Sequence, residues 1–196
     1  MMTALAQEAL DRIFLSARSR NGWSDRPVDD ATIHAIYDLA KFGPTSANSQ
    51  PGRFVWVRSA EQKEKLAGCA SATNGAKILA APVTVIIARD LDFADNLSRT
   101  FPHAPYMQEV MRMPAVGAAT AQRNATLQGA YLIVAARALG LDCGPMSGFD
   151  NAKVDEAFFA GTNLKSDFLC SIGYGTEENL FERLPRLDFD DANRIV

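Results

Sequence analysis

Two guanidinium groups and a hydroxyl stand together in Ala17-Arg18-Ser19-Arg20-Asn21-Gly22-Trp23. At a helix exit such a trio could hold a phosphate through directional, charge-assisted hydrogen bonds. A solvated basic turn would read the same way, because the backbone dipole favours arginine near a helix C-terminus. A second cluster, Gly43-Pro44-Thr45-Ser46-Ala47-Asn48-Ser49-Gln50-Pro51, crowds hydroxyls and amides between a helix and a strand. Thr45, Ser46 and Asn48 could line the polar edge of a ligand, although the same residue types are common in ordinary connections. Asn74 and Lys77 are three positions apart and share one helical face, so a donor and a cation could reach one acceptor-rich ring. A solvent-facing amphipathic helix would carry the same pair. Pro145, Met146, Ser147, Gly148 and Phe149 add accessible backbone and a hydroxyl, and Arg183 adds a cation from a distant part of the chain.

Other chemistries lack their residues. With His34 and His103 as the only histidines, a multi-histidine metal site or a histidine-based nucleophilic centre is hard to build. Cys69, Cys143 and Cys170 are spaced as neither a thiol pair nor a zinc knuckle, which suits reduced cysteines in the cytoplasm. Gly173-Tyr174-Gly175 begins like a dinucleotide fingerprint, yet Glu178 stands at the third glycine position and no βαβ unit follows. Ser147 and Ser171 sit in no nucleophile elbow. The chemistry is therefore expected from a bound cofactor.

The elements that must position these residues can be read from periodicity. Leu5, Ala9, Ile13 and Ala17 recur at helical spacing over Leu5 to Ser19. Asp29 or Asp30 can cap a helix that runs toward Lys41 and stops at Gly43-Pro44. Phe54 to Arg58 reads as a strand, Ser59 with Gln62 as a capping box for a helix through Leu66, and Ser71 to Ala80 as a second helical piece. Val83 to Ala88 is a continuous β-branched run suited to a strand covered on both faces. Asp90 to Pro105 supports irregular cover with one helical turn. Met113 to Leu139 is alanine-rich and predicts a helix about 40 Å long. Apolar residues cover more than one side of that helix, so it is either wholly enclosed by its own chain or turned in part toward a partner subunit. Asp142 to Phe149 reads as a tight loop, Asp150 as the cap of a helix through Phe159, Phe168 to Tyr174 as a strand, and Leu180 to Val196 as a packed, ordered tail.

The whole reads as one α+β domain over residues 1–196, without repeats or a linker. The chain carries 20 Lys and Arg against 23 Asp and Glu, a net charge of -3, so bulk charge gives no attraction to nucleic acid or an anionic membrane. Gln122, Arg123, Asn124 and Arg137 interrupt the long helix, which leaves no stretch for a membrane span. Acidic Glu8 and Asp11 near the N-terminus do not suit an export signal.

Several stretches together carry a resemblance over nearly the whole chain. They are Asn21-Gly22-Trp23, Gly43-Pro44-Thr45-Ser46-Ala47-Asn48, Leu139-Gly140-Leu141-Asp142, Gly144-Pro145-Met146-Ser147-Gly148-Phe149-Asp150 and Arg183-Leu184-Pro185-Arg186-Leu187. In these the sequence resembles the FMN-dependent nitroreductase family, and more closely its HadB and RutE branch, which includes malonic semialdehyde reductases. The resemblance implies a nitroreductase-like three-layer α/β/α fold with a central, mostly antiparallel sheet and long interface helices. It also implies a cytoplasmic homodimer with two FMN sites, each built from both chains.

By that resemblance, Arg18, Ser19 and Arg183 would hold the FMN phosphate, with Arg20 beside them. Asn21 would stand where the family commonly has a basic residue. Thr45, Ser46 and Asn48 belong to the flavin-contact loop, and Asn74 and Lys77 to the ribityl- and ring-binding helix. Pro145, Met146, Ser147 and Gly148 would border the reactive edge. Lys77, Ser147 and Gly148 would carry the catalytic roles, Lys77 by stabilising charge and the other two by positioning the ring. Gly52 replaces a tryptophan found in broader members and would leave that space open. The implied activity is ping-pong hydride transfer from NADH or NADPH to a small aldehyde, with malonic semialdehyde giving 3-hydroxypropionate. Broad nitroaromatic or quinone reduction and a catalytically silent flavin-binding homodimer are the alternatives. Arg112 or Arg123 could bind the substrate carboxylate.

Overall fold

The centre of the molecule is the segment that needs cover on both faces. In a computed structural model describing residues 3–196, Val83–Asp90 forms a strand with a partner on either side. In chain order the elements are α1 (Gln7–Leu10), α2 (Asp30–Ala40), β1 (Gly52–Val57), α3 (Ala60–Ala67), α4 (Ala72–Ala80) and β2 (Val83–Asp90). There follow α5 (Leu97–Thr100), α6 (Tyr106–Arg112), α7 (Pro114–Ala138), β3 (Asp142–Met146), α8 (Asn151–Phe159), β4 (Leu164–Gly173) and α9 (Phe189–Ala192). The sheet order is β1-β2-β4-β3, and every pairing is antiparallel.

Alternation along the strands separates two cores. Val83, Val85, Ile87, Cys170 and Ile172 point to one face, where Ile36 and Ala40 of α2 and Leu132, Ala135 and Ala136 of α7 cover them. Ile86, Ala88 and Leu169 point to the other, against Leu66 of α3, Ile78 of α4 and Val154 and Phe159 of α8. The result is three layers, α/β/α. Each buried Val, Leu or Ile contributes about 1.5–3 kcal/mol relative to exposure. A polar pair inside the second face, Thr84 and Ser171, joins its hydroxyls at 2.9 Å across β2 and β4.

Caps set several helix starts. The Asp29, Ser59, Ser71 and Asp150 side chains accept the backbone N–H of Thr32, Gln62, Asn74 and Lys153, satisfying donors that a first turn leaves free. The bonds from Thr32 hold the Asp29 carboxyl below its ordinary range.

Four expectations change. The first helix ends early: α1 passes into a π-type turn at Asp11–Leu15, closed by Ser16 N–H on the Asp11 carbonyl at 2.8 Å. Ala17 to Asn21 then leave the helix, because Arg20 N–H donates to the Cys143 carbonyl at 3.0 Å and Ser19 bridges Cys143. Asp142 to Met146 is no loop but the edge strand β3, paired with β4 from Asp142↔Gly173 to Met146↔Leu169. Pro145 is tolerated there because an edge strand can lack a donor. Between β2 and α7 lie a 3₁₀ turn at Phe93–Asn96 and the helices α5 and α6, packed through Phe93, Leu97 and Met111 against Ala121. Finally, the residues after Leu180 are exposed and include only the four-residue α9, so most of the tail does not pack on its own body.

Candidate functional site

The departure of Ala17 to Asn21 from the first helix creates a cation-lined cleft. That segment runs along the outer edge of β3, and the stretch from Leu180 to Arg186 returns across it. The cleft encloses about 760 Å³ and is lined by the cations Arg18, Arg20, Lys77, Arg137, Arg183 and Arg186, with Glu182 as its one carboxylate. Its volume lies within the range of small-molecule sites. In a chain of net charge -3 this concentration of positive charge is local, and it favours an anionic ligand.

Each cation is held differently. Arg18 donates from Nη2 to the Phe181 carbonyl. Arg183 Nη2 donates to the carbonyls of Leu15 and Ala17 at 2.7 and 2.9 Å, which satisfies acceptors left free where the first helix ends. Asn21 Nδ2 donates to the Asn179 carbonyl at 3.0 Å, so this neutral side chain ties the tail to the cleft rim. Arg20 Nη1 donates to the Thr176 carbonyl at 3.0 Å and to Glu177 Oε1 at 2.7 Å, and its Nε lies 3.8 Å from Asp142. Two carboxylates therefore offset its charge, although Nε itself is buried without a hydrogen bond. Arg137, from the last turn of α7, donates from Nη1 to the Ile13 carbonyl at 3.2 Å and likewise buries an unpartnered Nε. Lys77 is half-buried and has no carboxylate partner among the described residues.

Asn74, Met146, Ser147 and Gly148 do not line this cleft; they adjoin Lys77 along α4 and Pro145 along the chain. Asn74 Nδ2 donates to the Gly148 carbonyl at 3.1 Å, and Ser71 N–H donates to the same oxygen at 3.1 Å. The exposed turn at Ser147 and Gly148, which follows Met146 at the end of β3, is thereby fixed against the first turn of α4.

Thr45, Ser46 and Asn48 are elsewhere. Ser46 N–H donates to Asn124 Oδ1 at 2.9 Å, Asn48 Nδ2 to the Thr100 carbonyl at 2.9 Å, and Gln50 N–H to Thr45 Oγ1 at 3.2 Å. Asn124 precedes Arg137 by 13 residues on α7, which is about 20 Å along the helix. The loop thus stands well away from the cleft of its own chain. Its backbone is unusual: Ala47, Asn48 and Gln50 have φ of 50°, 46° and 45°, a conformation that costs non-glycine residues about 1–3 kcal/mol each. A side chain at Gly52 would be crowded at its first atom, since a Cβ there would meet Gln128 Oε1 at 2.8 Å and Phe54 Cζ at 3.2 Å.

The nitroreductase family signature matches residues 16–176. The chain belongs to the nitroreductase family. A protein of Caulobacter sp. (strain K31) named "Putative NADH dehydrogenase/NAD(P)H nitroreductase" is 57% identical over 195 residues, covering 100% of both chains. A Burkholderia lata protein of the same descriptive name is 58% identical over 194 residues, covering 99% of this chain and 100% of its own. Among solved structures, a "putative nitroreductase in complex with FMN" from Exiguobacterium sibiricum superposes with a TM-score of 0.87 at 21% identity, covering 100% of both chains. That likeness establishes the nitroreductase fold.

Sequence reasoning missed three parts of this nitroreductase's cleft. Arg137 reads as a break in an apolar helix, yet an arginine in the last turn of a packed helix is well placed to reach a neighbouring carbonyl. Arg186 lies within a stretch that marks the family resemblance but has no local signal of its own. Phe181 lines the cleft from a tail whose path cannot be read from periodicity. Among the described residues, no cluster of His, Cys, Asp and Glu could hold a metal, and no helix is long and apolar enough to cross a membrane.

Proposed function

We propose that this nitroreductase is an FMN-dependent NAD(P)H oxidoreductase that works as a homodimer and reduces malonic semialdehyde to 3-hydroxypropionate. The observation that carries the cofactor reading is the cleft of about 760 Å³ with six cations and one carboxylate. Its donor set fits FMN: a phosphate asks for charged donors, and the buried unpartnered Nε atoms of Arg20 and Arg137 and the unpaired Lys77 border the same cleft. When bound, FMN supplies the hydride chemistry for which the chain has no thiol or histidine constellation.

Arg18 and Arg183 would hold the phosphate, with Ser19 as a further donor and Arg20 bracing the strand beneath. Asn74 and Lys77 would face the ribityl chain and ring, and Lys77 would stabilise negative charge developing there. Ser147 and Gly148, held against Ser71 and Asn74, would orient the ring edge. The separation of about 20 Å along α7 supports supply of Thr45, Ser46 and Asn48 by a second copy. Exposed Phe14, Leu127 and Tyr131, the last two on α7, support the same reading, because apolar side chains left in water favour association.

In the net reaction the nicotinamide loses a hydride, the aldehyde carbon gains it, and a proton from water completes the hydroxyl. The acceptor reading rests on the branch resemblance carried by Asn21-Gly22-Trp23 and Arg183-Leu184-Pro185-Arg186-Leu187. Of the two candidate carboxylate ligands, Arg112 is paired with Asp95 at 2.7 Å, whereas Arg123 has no carboxylate partner among the described residues. The names of the Caulobacter and Burkholderia relatives favour the second reading, a nitroreductase of broader acceptor range.

One anaerobic stopped-flow design tests all of this. Purified chain is assayed for bound FMN, bleached with NADH or NADPH, then mixed with malonic semialdehyde, a quinone or a nitroaromatic at matched concentrations. Fastest reoxidation by malonic semialdehyde is expected. Faster turnover with the nitroaromatic would favour the second reading, and FMN that binds but is never reduced would leave only a flavin-binding dimer.

A further inference from the structure

A second cavity of about 420 Å³ lies between α2, β1 and α5, on the side of the molecule that carries the Thr45–Gln50 loop. Its composition is unlike that of an incidental surface hollow. No Asp or Glu lines it, and two arginines do. Arg53 is neutralised, with Nη2 on Asp90 at 2.5 Å and Nη1 on the carbonyls of Gln50 and Gly52. Arg99, an exposed side chain, has no carboxylate partner among the described residues and makes a long bond of 3.4 Å to Asn96 Oδ1. Ser49 is 1% exposed, and its hydroxyl is buried with no hydrogen-bond partner. Leaving such a group unpaired costs about 1–3 kcal/mol, which a ligand acceptor would recover. Gln128 uses its Oε1 to accept Gly52 N–H at 2.7 Å, while its Nε2 donates to no group among the described residues. Three unused donors therefore border a cavity that also has an aromatic wall, formed by Tyr37, Phe54 and Trp56. Tyr37 and Phe54 meet edge to face, with centroids 6.2 Å apart.

We propose that this cavity binds a small aromatic monocarboxylate, its carboxylate on Arg99, Ser49 and Gln128 and its ring against the aromatic wall. A single guanidinium with no carboxylate partner among the described residues matches one negative charge, and its charge-assisted bonds favour a carboxylate over an amide or an alcohol. The cavity is lined by residues of one chain, none of which lines the phosphate cleft. It does border the flavin-contact loop of the family resemblance, because Gln50 lines it and donates from Nε2 to Asn48 Oδ1 at 2.9 Å.

Benzoate is the probe, titrated by calorimetry into the full-length chain as purified, with benzamide as the uncharged isostere and inorganic phosphate as a bare anion. Benzoate is expected to bind and benzamide to bind at least about tenfold more weakly, the usual difference for a charge-assisted contact. Arg99→Gln should weaken benzoate about tenfold and Ser49→Ala by a smaller factor. The two tryptophans report location: the indole N–H resonance of Trp56 should shift, and that of Trp23, which lies beside Gly144 of the phosphate cleft, should not. Equal binding of benzamide, phosphate binding blocked by benzoate, a shift at Trp23 alone, or benzoate affinity unaffected in both Arg99→Gln and Ser49→Ala would each overturn the proposal.

Discussion

Gly144 lines the phosphate cleft and Gly148 follows four residues later, and replacing each by alanine should have unequal consequences. A Cβ at Gly144 would lie 2.5 Å from the Arg20 carbonyl oxygen, a backbone atom that no rotamer change can move. Relief requires the Ser19–Arg20 segment to slide off β3, stretching the Arg20 N–H bond to Cys143. Overpacking of this kind costs about 1–3 kcal/mol and the weakened bond about 1 more. The entropy removed from the unfolded chain on replacing glycine returns about 0.4–1 kcal/mol. The net for Gly144→Ala is about 2 kcal/mol, a fall in Tm of about 4–8 °C for a chain of this size. At Gly148 the added Cβ would clash with Asn74 Nδ2, at 2.6 Å, the free end of a side chain that can rotate away, and would touch Ser71 Oγ at an ordinary 3.6 Å. Losing the Asn74 bond costs about 1 kcal/mol, which the same entropy gain nearly cancels, so Gly148→Ala should melt close to the parent. Because the shift in Gly144→Ala also displaces Arg18, it should weaken FMN about tenfold by fluorescence titration. If Gly144→Ala melts within about 1 °C of the parent and binds FMN equally well, the contact between β3 and the Arg18 segment does not build the cleft.

The remaining predictions concern single groups. Arg18→Ala removes a guanidinium from the phosphate end and should raise the FMN dissociation constant about 10- to 100-fold, with an unchanged constant counting against that role. Lys77→Met should keep flavin bound but slow its reduction by NAD(P)H about a hundredfold in anaerobic stopped flow; parent-like rates would remove Lys77 from catalysis. Thr84→Val strands the buried Ser171 hydroxyl and should cost about 1–3 kcal/mol in urea unfolding, part of which Thr84→Val with Ser171→Ala recovers. Burial pushes the half-buried Cys69 thiol up, and the hydrogen bond with Cys143, then burial, raise Cys170 further. A raised thiol pKa leaves less thiolate at neutral pH, so a thiol reagent should label Cys69 slowly and faster as pH rises. Cys143 and Cys170 should be labelled only on unfolding, and labelling of all three in the folded protein would contradict their burial.

The parts of the fold written locally were legible, and those written by distant partners were not. Val83 to Ala88 reads as a strand covered on both faces, and the caps Asp29, Ser59 and Asp150 announce their helices because a cap and its N–H are three residues apart, whereas Ser71 reads only as the start of a helical piece. Strand β3 was hidden because Gly144-Pro145 reads as a chain breaker until β4 is there to pair with it. The first helix likewise ends where β3 captures Ser19 and Arg20, a contact more than a hundred residues away in sequence. The candidate site shows the same limit. Arg18, Ser19, Lys77, Pro145 and Arg183 have the right chemistry, and the fold gathers them at one cleft. Thr45, Ser46 and Asn48 look equally suitable, yet they are anchored to Asn124 and Thr100 while the cleft lies at Arg137. Residue type shows that both groups can meet a polar ligand; only α7, as a rigid ruler between them, shows that one chain does not bring them to the same one. That separation makes the two halves independently testable. A chain carrying Arg18→Ala mixed with one carrying Asn48→Ala should recover flavin-dependent turnover in heterodimers, each containing one intact composite site, whereas a site built within a single chain would recover none.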